Sequence, residues 1–317
     1  MKKKYEPLNA MDYPRFEGIR TFMRLPHVTN LNGVDFLLAG VPFDTGATFR
    51  VGARFGPSGI RDNSLLLRPY NPAQNIEIFN FCNGVDFGDL PIVPGYLPES
   101  HTLIEKGANN IFKSKATPIF MGGDHSISLP LLRAIKNKFG PVALIHFDAH
   151  SDLWHGYFEN KDTHGTPFRR ALEEKLINPS CSSQIGLRGS LYDKKDSAMS
   201  KDAGLLAITG PELHHIGIKK AIKLVKERVG GSPTYLTFDI DFIDPAFAPG
   251  TGTPEAGGFT GYEAISFVRG LKDINFVGFD MVEVMPGYDP TQITSLLAAN
   301  IIYEFISLIA IQKRNLL

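Results

Sequence analysis

Short apolar runs alternate along the chain with longer stretches in which apolar residues recur every three or four positions. The runs at 34–41, 117–121, 142–148, 184–187, 205–208, 234–240 and 275–284 predict strands, and the stretches at 57–67, 100–113, 126–138, 167–174, 211–229, 261–271 and 291–310 predict helices. Strands of continuous apolar character separated by helices predict an α/β fold whose parallel sheet is covered on both faces. The apolar segment 293–310 carries Glu304 and several polar residues, so it predicts a core helix rather than a membrane span. With no internal repeat and no Gly/Ser/Pro-rich linker, residues 1–317 read as one domain. The mixed, Pro-containing segment 1–33 either wraps that domain or joins a subunit contact.

Three predicted strands end in unusual residues. Met121 runs into Gly122-Gly123-Asp124-His125, Ile145 into His146-Phe147-Asp148-Ala149-His150-Ser151-Asp152, and Phe238 into Asp239-Ile240-Asp241. In open parallel sheets, ligands bind outside the carboxyl ends of the strands, so three polar ends argue for one shared site. Residues two apart in extended chain share a face, which lets Asp148, His150 and Asp152 converge. Converging carboxylates and imidazoles are costly to bury unless a cation lies between them. The candidate ligands are His125, Asp148, His150, Asp152, Asp239 and Asp241. This set is too oxygen-rich for structural zinc and suits harder ions such as Mn²⁺, with Ni²⁺ or Co²⁺ as competitors. Six ligands fit two ions better than one, and the four Asp charges balance two divalent cations. Metals lower the pKa of bound water to near ~7, which makes hydroxide available at physiological pH. Other nearby groups have plainer readings. Asp124 hydrogen-bonds the glycine turn, His146 is a satisfied core histidine, and Asp244 before Pro245 marks a turn or supports the ligands from behind.

Composition narrows the partners. Lys plus Arg and Asp plus Glu number 33 each, so the formal net charge is zero and no basic face for nucleic acid is expected. The two cysteines, Cys82 and Cys181, form no CxxC pair, which points to a reducing, cytoplasmic setting. The Lys-rich N-terminus has no apolar stretch behind it, so no signal peptide and no membrane association are expected.

The stretches Gly-Gly-Asp-His-Ser at 122–126, Asp-Ala-His-Ser-Asp at 148–152 and Phe-Asp-Ile-Asp-Phe-Ile-Asp-Pro-Ala-Phe-Ala-Pro-Gly-Thr-Gly-Thr-Pro-Glu at 238–255 resemble the signatures of the ureohydrolase family, which includes arginases, agmatinases and guanidino-acid hydrolases. Thr21-Phe-Met-Arg-Leu-Pro-His, Gly40-Val-Pro-Phe-Asp-Thr-Gly and Gly52-Ala-Arg-Phe-Gly-Pro-Ser-Gly-Ile-Arg resemble its agmatinase and guanidinobutyrase branch. The resemblance implies a three-layer αβα sandwich around a mostly parallel sheet, two manganese ions, a small cationic guanidino substrate, and a homo-oligomer, trimeric or hexameric. By the same resemblance His125 and Asp152 complete one ion, His150 and Asp241 the other, and Asp148 and Asp239 bridge both. It makes His164 a proton-shuttling histidine and Glu283 the carboxylate that holds the guanidinium, with protonation of the departing amine through Asp148 and then His164. Each has a structural alternative: His164 as a helix-start residue, Glu283 as a salt-bridged strand end.

The substrate's tail is less defined. Arginase-like recognition of an amino acid uses an Asn two residues after the last Asp of the metal motif, and here Trp154 stands there. That departure points away from arginine. The aromatic segment 153–163 holds Trp154 and Tyr157, which either contact the tail or pack the loop. Agmatine and a short guanidino acid such as 4-guanidinobutyrate both fit. Guanidinopropionate, free guanidine and a formiminoglutamase-like reaction on the same scaffold stay open, as does a catalytically silent metal-binding subunit.

Overall fold

The computed structural model describes residues 4–316. Among them, ten strands occur in chain order: β1 (Phe36–Val41), β2 (Tyr70–Asn71), β3 (Ile76–Glu77), β4 (Gly84–Asp89), β5 (Thr117–Gly122), β6 (Ala143–Phe147), β7 (Ser183–Leu187), β8 (Leu206–Thr209), β9 (Thr234–Asp239) and β10 (Phe276–Val282). β2 and β3 form a small antiparallel pair. The other eight make one sheet in the order β4-β1-β5-β10-β9-β6-β7-β8. Every pairing in it is parallel. Two apolar clusters, one on each face, bury the sheet beneath helices, as continuous apolar strands require.

This order explains how distant motifs meet. β5, β10, β9 and β6 are consecutive neighbours in the centre of the sheet. Met281 pairs with Met121, Val282 with Asp239 and Phe238 with Phe147. One line across the sheet therefore joins the ends of all four strands, and Asp148 emerges beside Asp239. Beneath that line Phe147 stacks on Phe238 at 5.1 Å and meets Phe242 and Phe267 edge-on at 5.2 and 4.9 Å. Each such ring pair adds ~1 kcal/mol beyond its buried area, so the site stands on a rigid floor.

Several elements differ from the sequence reading. β4 was absent from the predicted strands because Gly84-Val-Asp-Phe-Gly-Asp carries charge and glycine where a buried strand shows apolar residues. Gly84 is required there, since a Cβ would lie 2.0 Å from the Phe36 ring. Buried Asp86 is paired with Arg61 at 2.8 Å. The helix expected over 211–229 is two, Gly210–Ile216 and Ile218–Val229, because Gly217 at φ 76° breaks it. The strand expected to reach residue 284 stops at Val282, where Glu283 turns left-handed at φ 60°. The helix expected from 100 starts earlier and runs Leu97–Phe112.

The apolar helix Ile293–Arg314 is long enough to cross a membrane, yet most of it is buried against the sheet and its neighbours. Its Glu304 is buried and paired with Arg269 at 2.7 Å, with Asn71 also donating to it. The segment before β1 lies along β4: Gly84 donates to the Tyr5 carbonyl and Asp86 to that of Pro26. Met11, Phe16 and Ile19 of this segment stay exposed.

Candidate metal centre

His125 opens a short 3₁₀ turn, His125–Ile127, just beyond β5. Its backbone N–H donates to Glu283 Oε1 at 2.9 Å, and its Nε2 meets Thr237 Oγ1 at 2.9 Å. Nδ1 is buried with no hydrogen-bond partner. It faces carboxylate oxygens of Asp152 at 3.0 Å, Asp148 at 3.1 Å and Asp239 at 3.2 Å. Donors each ~2.1 Å from one cation and at right angles lie about 3 Å apart, so these separations fit a shared small ion. The Thr237 contact at Nε2 leaves the Nδ1 lone pair for the ion, the usual arrangement behind a ligating histidine.

A second cluster adjoins the first. His150 Nδ1 lies 3.0 Å from Asp241 Oδ2 and 3.4 Å from Asp148 Oδ1, so Asp148 belongs to both. Backbone amides hold the carboxylates in place. His150 N–H donates to Asp148 at 2.6 Å, Ala149 N–H to Asp241 at 3.0 Å and Asp241 N–H to Asp239 at 2.8 Å. All six predicted ligands thus converge. Asp152 reaches the cluster from a left-handed backbone at φ 51°, a conformation costly for a non-glycine residue that recurs at functional sites. Burial pushes Asp239 and Asp241 above the usual carboxylate range, helped by repulsion from Asp241 and Asp148 at Asp239 and from Asp148 at Asp241. The ring of His150 is driven well up by Asp241 and Asp148 against its burial, and that of His125 by Asp148, Asp152 and Asp239. Two divalent cations would cancel that crowding of negative charge, so the donor set fits the pair of ions the motifs suggested.

His146 is buried and satisfied, as expected, but it is more than core filling. Its Nε2 pairs with Asp148 Oδ2 at 2.6 Å, and Gln184 contacts its Nδ1 at 2.8 Å. The ring therefore fixes the carboxylate shared by both clusters. Asp124 departs from its expected part. Its carboxylate accepts not from the glycine turn but from Ser126 N–H at 3.0 Å and, across the site, from Gly46 N–H at 2.7 Å. Burial and the nearby Glu283 raise it to about 7. Asp244 caps a turn, accepting from Ala246 and Gly258 N–H.

His164 and Glu283 meet beside the clusters, His164 Nδ1 to Glu283 Oε1 at 2.9 Å. Burial opposes charge on His164, but Glu283, reinforced by Asp124 and Asp152, outweighs it and raises the ring to about 9. Glu283 Oε2 is buried without a partner. His164, His125, His150, Asp152 and Asp239 line a cavity of about 370 Å³, with Glu283 against His164. Trp154 and Tyr157 line its mouth with Tyr192, whose ring lies 5.2 Å from Trp154. A larger cleft of about 760 Å³ at the other end of the sheet holds no comparable cluster of ligating groups among the described residues.

Four contributors were not singled out from sequence. Thr237 had a usable signal, since it lies two residues before Asp239 and so shares its face. Arg188, Thr48 and Tyr192 had none. Arg188 Nη2 donates to the carbonyls of Asp241 at 2.6 Å and Glu255 at 2.8 Å, tying the ligand turn to the segment that follows it.

A model of the arginase family matches residues 34–307. A guanidinobutyrase of Pseudomonas aeruginosa is 45% identical over 308 residues, spanning 96% of this chain and 97% of the relative. A guanidinopropionase of the same organism is 42% identical over 306 residues, spanning 96% of each. Among solved structures, the proclavaminate amidino hydrolase of Streptomyces clavuligerus superposes with a TM-score of 0.90 at 38% identity, covering 94% of this chain and 99% of that one.

Proposed function

The chain belongs to the arginase family, a ureohydrolase acting on guanidino C–N bonds, and from that premise we propose that it uses two Mn²⁺ ions to hydrolyse a short guanidino acid such as 4-guanidinobutyrate. The observation that carries the reading is the pair of clusters sharing Asp148 beside a cavity of about 370 Å³. The resemblance to a guanidinobutyrase and a guanidinopropionase supports the acid tail, and Trp154 in place of an Asn argues against arginine.

His125, Asp148 and Asp152 would hold one ion, His150, Asp148 and Asp241 the other, with Asp239 shared. When bound, the ions supply Lewis acidity and lower the pKa of water toward neutrality. The remaining work falls to the chain. A guanidinium is a resonance-stabilised cation and a poor electrophile, so orientation matters. Glu283 Oε2, buried and unpartnered, is the atom offered to a guanidinium N–H, while Oε1 is occupied by His125 and His164. Water's oxygen bonds to the guanidinium carbon, the bond from that carbon to the alkyl nitrogen breaks, and that nitrogen takes a proton. The products are urea and an amine. That proton would be handed on by Asp148 and then His164, the route the family resemblance implies.

One observation favours a second reading. Among the described residues, no Lys or Arg lines the cavity, whereas Glu255 does. A carboxylate tail would rely on hydroxyls such as those of Tyr157 and Tyr192, and a cationic tail such as agmatine's would find Glu255. Urea release from manganese-loaded protein decides. A higher kcat/KM for 4-guanidinobutyrate or 3-guanidinopropionate than for agmatine supports the acid. The reverse order supports agmatine, and no urea from any guanidino compound refutes both.

A further inference from the structure

A histidine that gives up and regains a proton in each turnover must be satisfied in both states. In this structure the second partner of His164 is Thr48. Its backbone N–H donates to His164 Nε2 at 3.1 Å. An amide N–H can only donate, so this contact suits the neutral ring, with its lone pair on Nε2 and its proton on Nδ1, facing Glu283 Oε1. Thr48 Oγ1 lies 2.7 Å from the same Nε2. Once Nε2 is protonated, the amide opposes it donor to donor, and the hydroxyl oxygen is the acceptor within reach. One residue thus supplies a donor for the neutral ring and an acceptor for the charged one. Both residues line the cavity, and His164 N–H donates to the Gly46 carbonyl at 2.9 Å, which holds the two segments together.

We propose that Thr48 is a positioning residue that holds His164 in both of its protonation states and thereby sets the rate of proton transfer. The inference rests on the proton-transfer part assigned to His164 above. The charged groups around the ring are Glu283, Asp124 and Asp152. On the loop that carries Thr48, Asp44 is paired with Arg54, and Arg50 lies 5.0 Å over the Tyr288 ring. Those groups stay in place when only the hydroxyl is removed.

The test compares Thr48→Val, Thr48→Ser and the parent as manganese-loaded enzymes. Thr48→Val leaves the neutral ring its amide donor but removes the acceptor for the charged ring, so the charged ring is weakened more. The pKa of His164, read from hydrogen–deuterium exchange at its C2 position by mass spectrometry, should fall by about 1. The kcat for urea release should fall at least ~10-fold with its pH profile displaced the same way, while KM and metal content hold. Thr48→Ser should restore all of these. An unchanged His164 pKa in Thr48→Val overturns the proposal whatever the activity. So does an altered pKa with an unaltered kcat profile in an active enzyme. If the parent releases no urea from any guanidino compound, the functional reading fails, and the C2-exchange arm still decides whether Thr48 governs the ring.

Discussion

The two ends of the cavity are built on opposite principles. At the floor, the candidate ligands come from the ends of adjacent central strands, and backbone amides or buried side chains such as His146 and Thr237 hold most of them. At the mouth, Trp154, Tyr157 and Tyr192 stand on loops and touch mainly one another, with Tyr192 80% exposed. The turn beyond Tyr157 even places Phe158 and Glu159 at positive φ, where glycine or asparagine is usual. The contrast teaches that reaction class is written into the sheet, while substrate choice is left to loops that can change without disturbing it.

Changes at the floor should have the largest effects. Asp148→Asn and Asp239→Asn should lose bound metal and urea release together, by about 10³-fold or more in kcat, as metal analysis and a urea assay would show. Full activity in either would dissolve the distinction between floor and mouth. One step out, His164→Ala should keep both ions and lose roughly 10²-fold in kcat; a fully active variant would remove its part in proton transfer.

Much of the floor was legible in the chain. Asp148-x-His150-x-Asp152 and Asp239-x-Asp241 follow apolar runs, and two-residue spacing puts such groups on one face wherever the chain is extended. The strands' adjacency was not legible, because β10 and β9, from late in the chain, insert between β5 and β6. Nor was β4, whose buried Asp86 is tolerable only with Arg61 across from it. Arg188 acts through backbone carbonyls of distant segments, and Thr48 through its own amide and hydroxyl on the distant His164 ring, contacts that leave no local pattern.

Arg188 sharpens the comparison because it supports the floor from a loop near the mouth. Arg188→Met should weaken binding of one cation, at the His150 cluster, by roughly 10–100-fold and leave the other in place, which a metal titration by calorimetry would resolve. Equal loss of both would make it a general support of the fold.

Acid stability probes the packing behind the floor. Burial, with a smaller push from Arg133, lowers His101 to about 4. The unfolded chain, titrating near 6.5, binds that proton first, so stability falls as pH drops from about 6.5 to about 4, by roughly 3 kcal/mol at most. His101→Gln should remove that component from chemical-denaturation curves taken across the window. An identical acid slope in the variant would assign the loss to other groups.

The smallest effects belong to the mouth. Trp154→Ala and Tyr157→Ala should change kcat/KM within about tenfold, unequally between 4-guanidinobutyrate and agmatine, with metal content untouched. Equal changes for both substrates would make the aromatics loop packing.

The central claim is that two cations share Asp148 and that guanidino hydrolysis needs both. The most direct measurement titrates metal-free protein with Mn²⁺ while following urea release from 4-guanidinobutyrate and agmatine. The account predicts activity that rises to its plateau at two equivalents per chain. A plateau at one equivalent, or no urea at any loading, would contradict it.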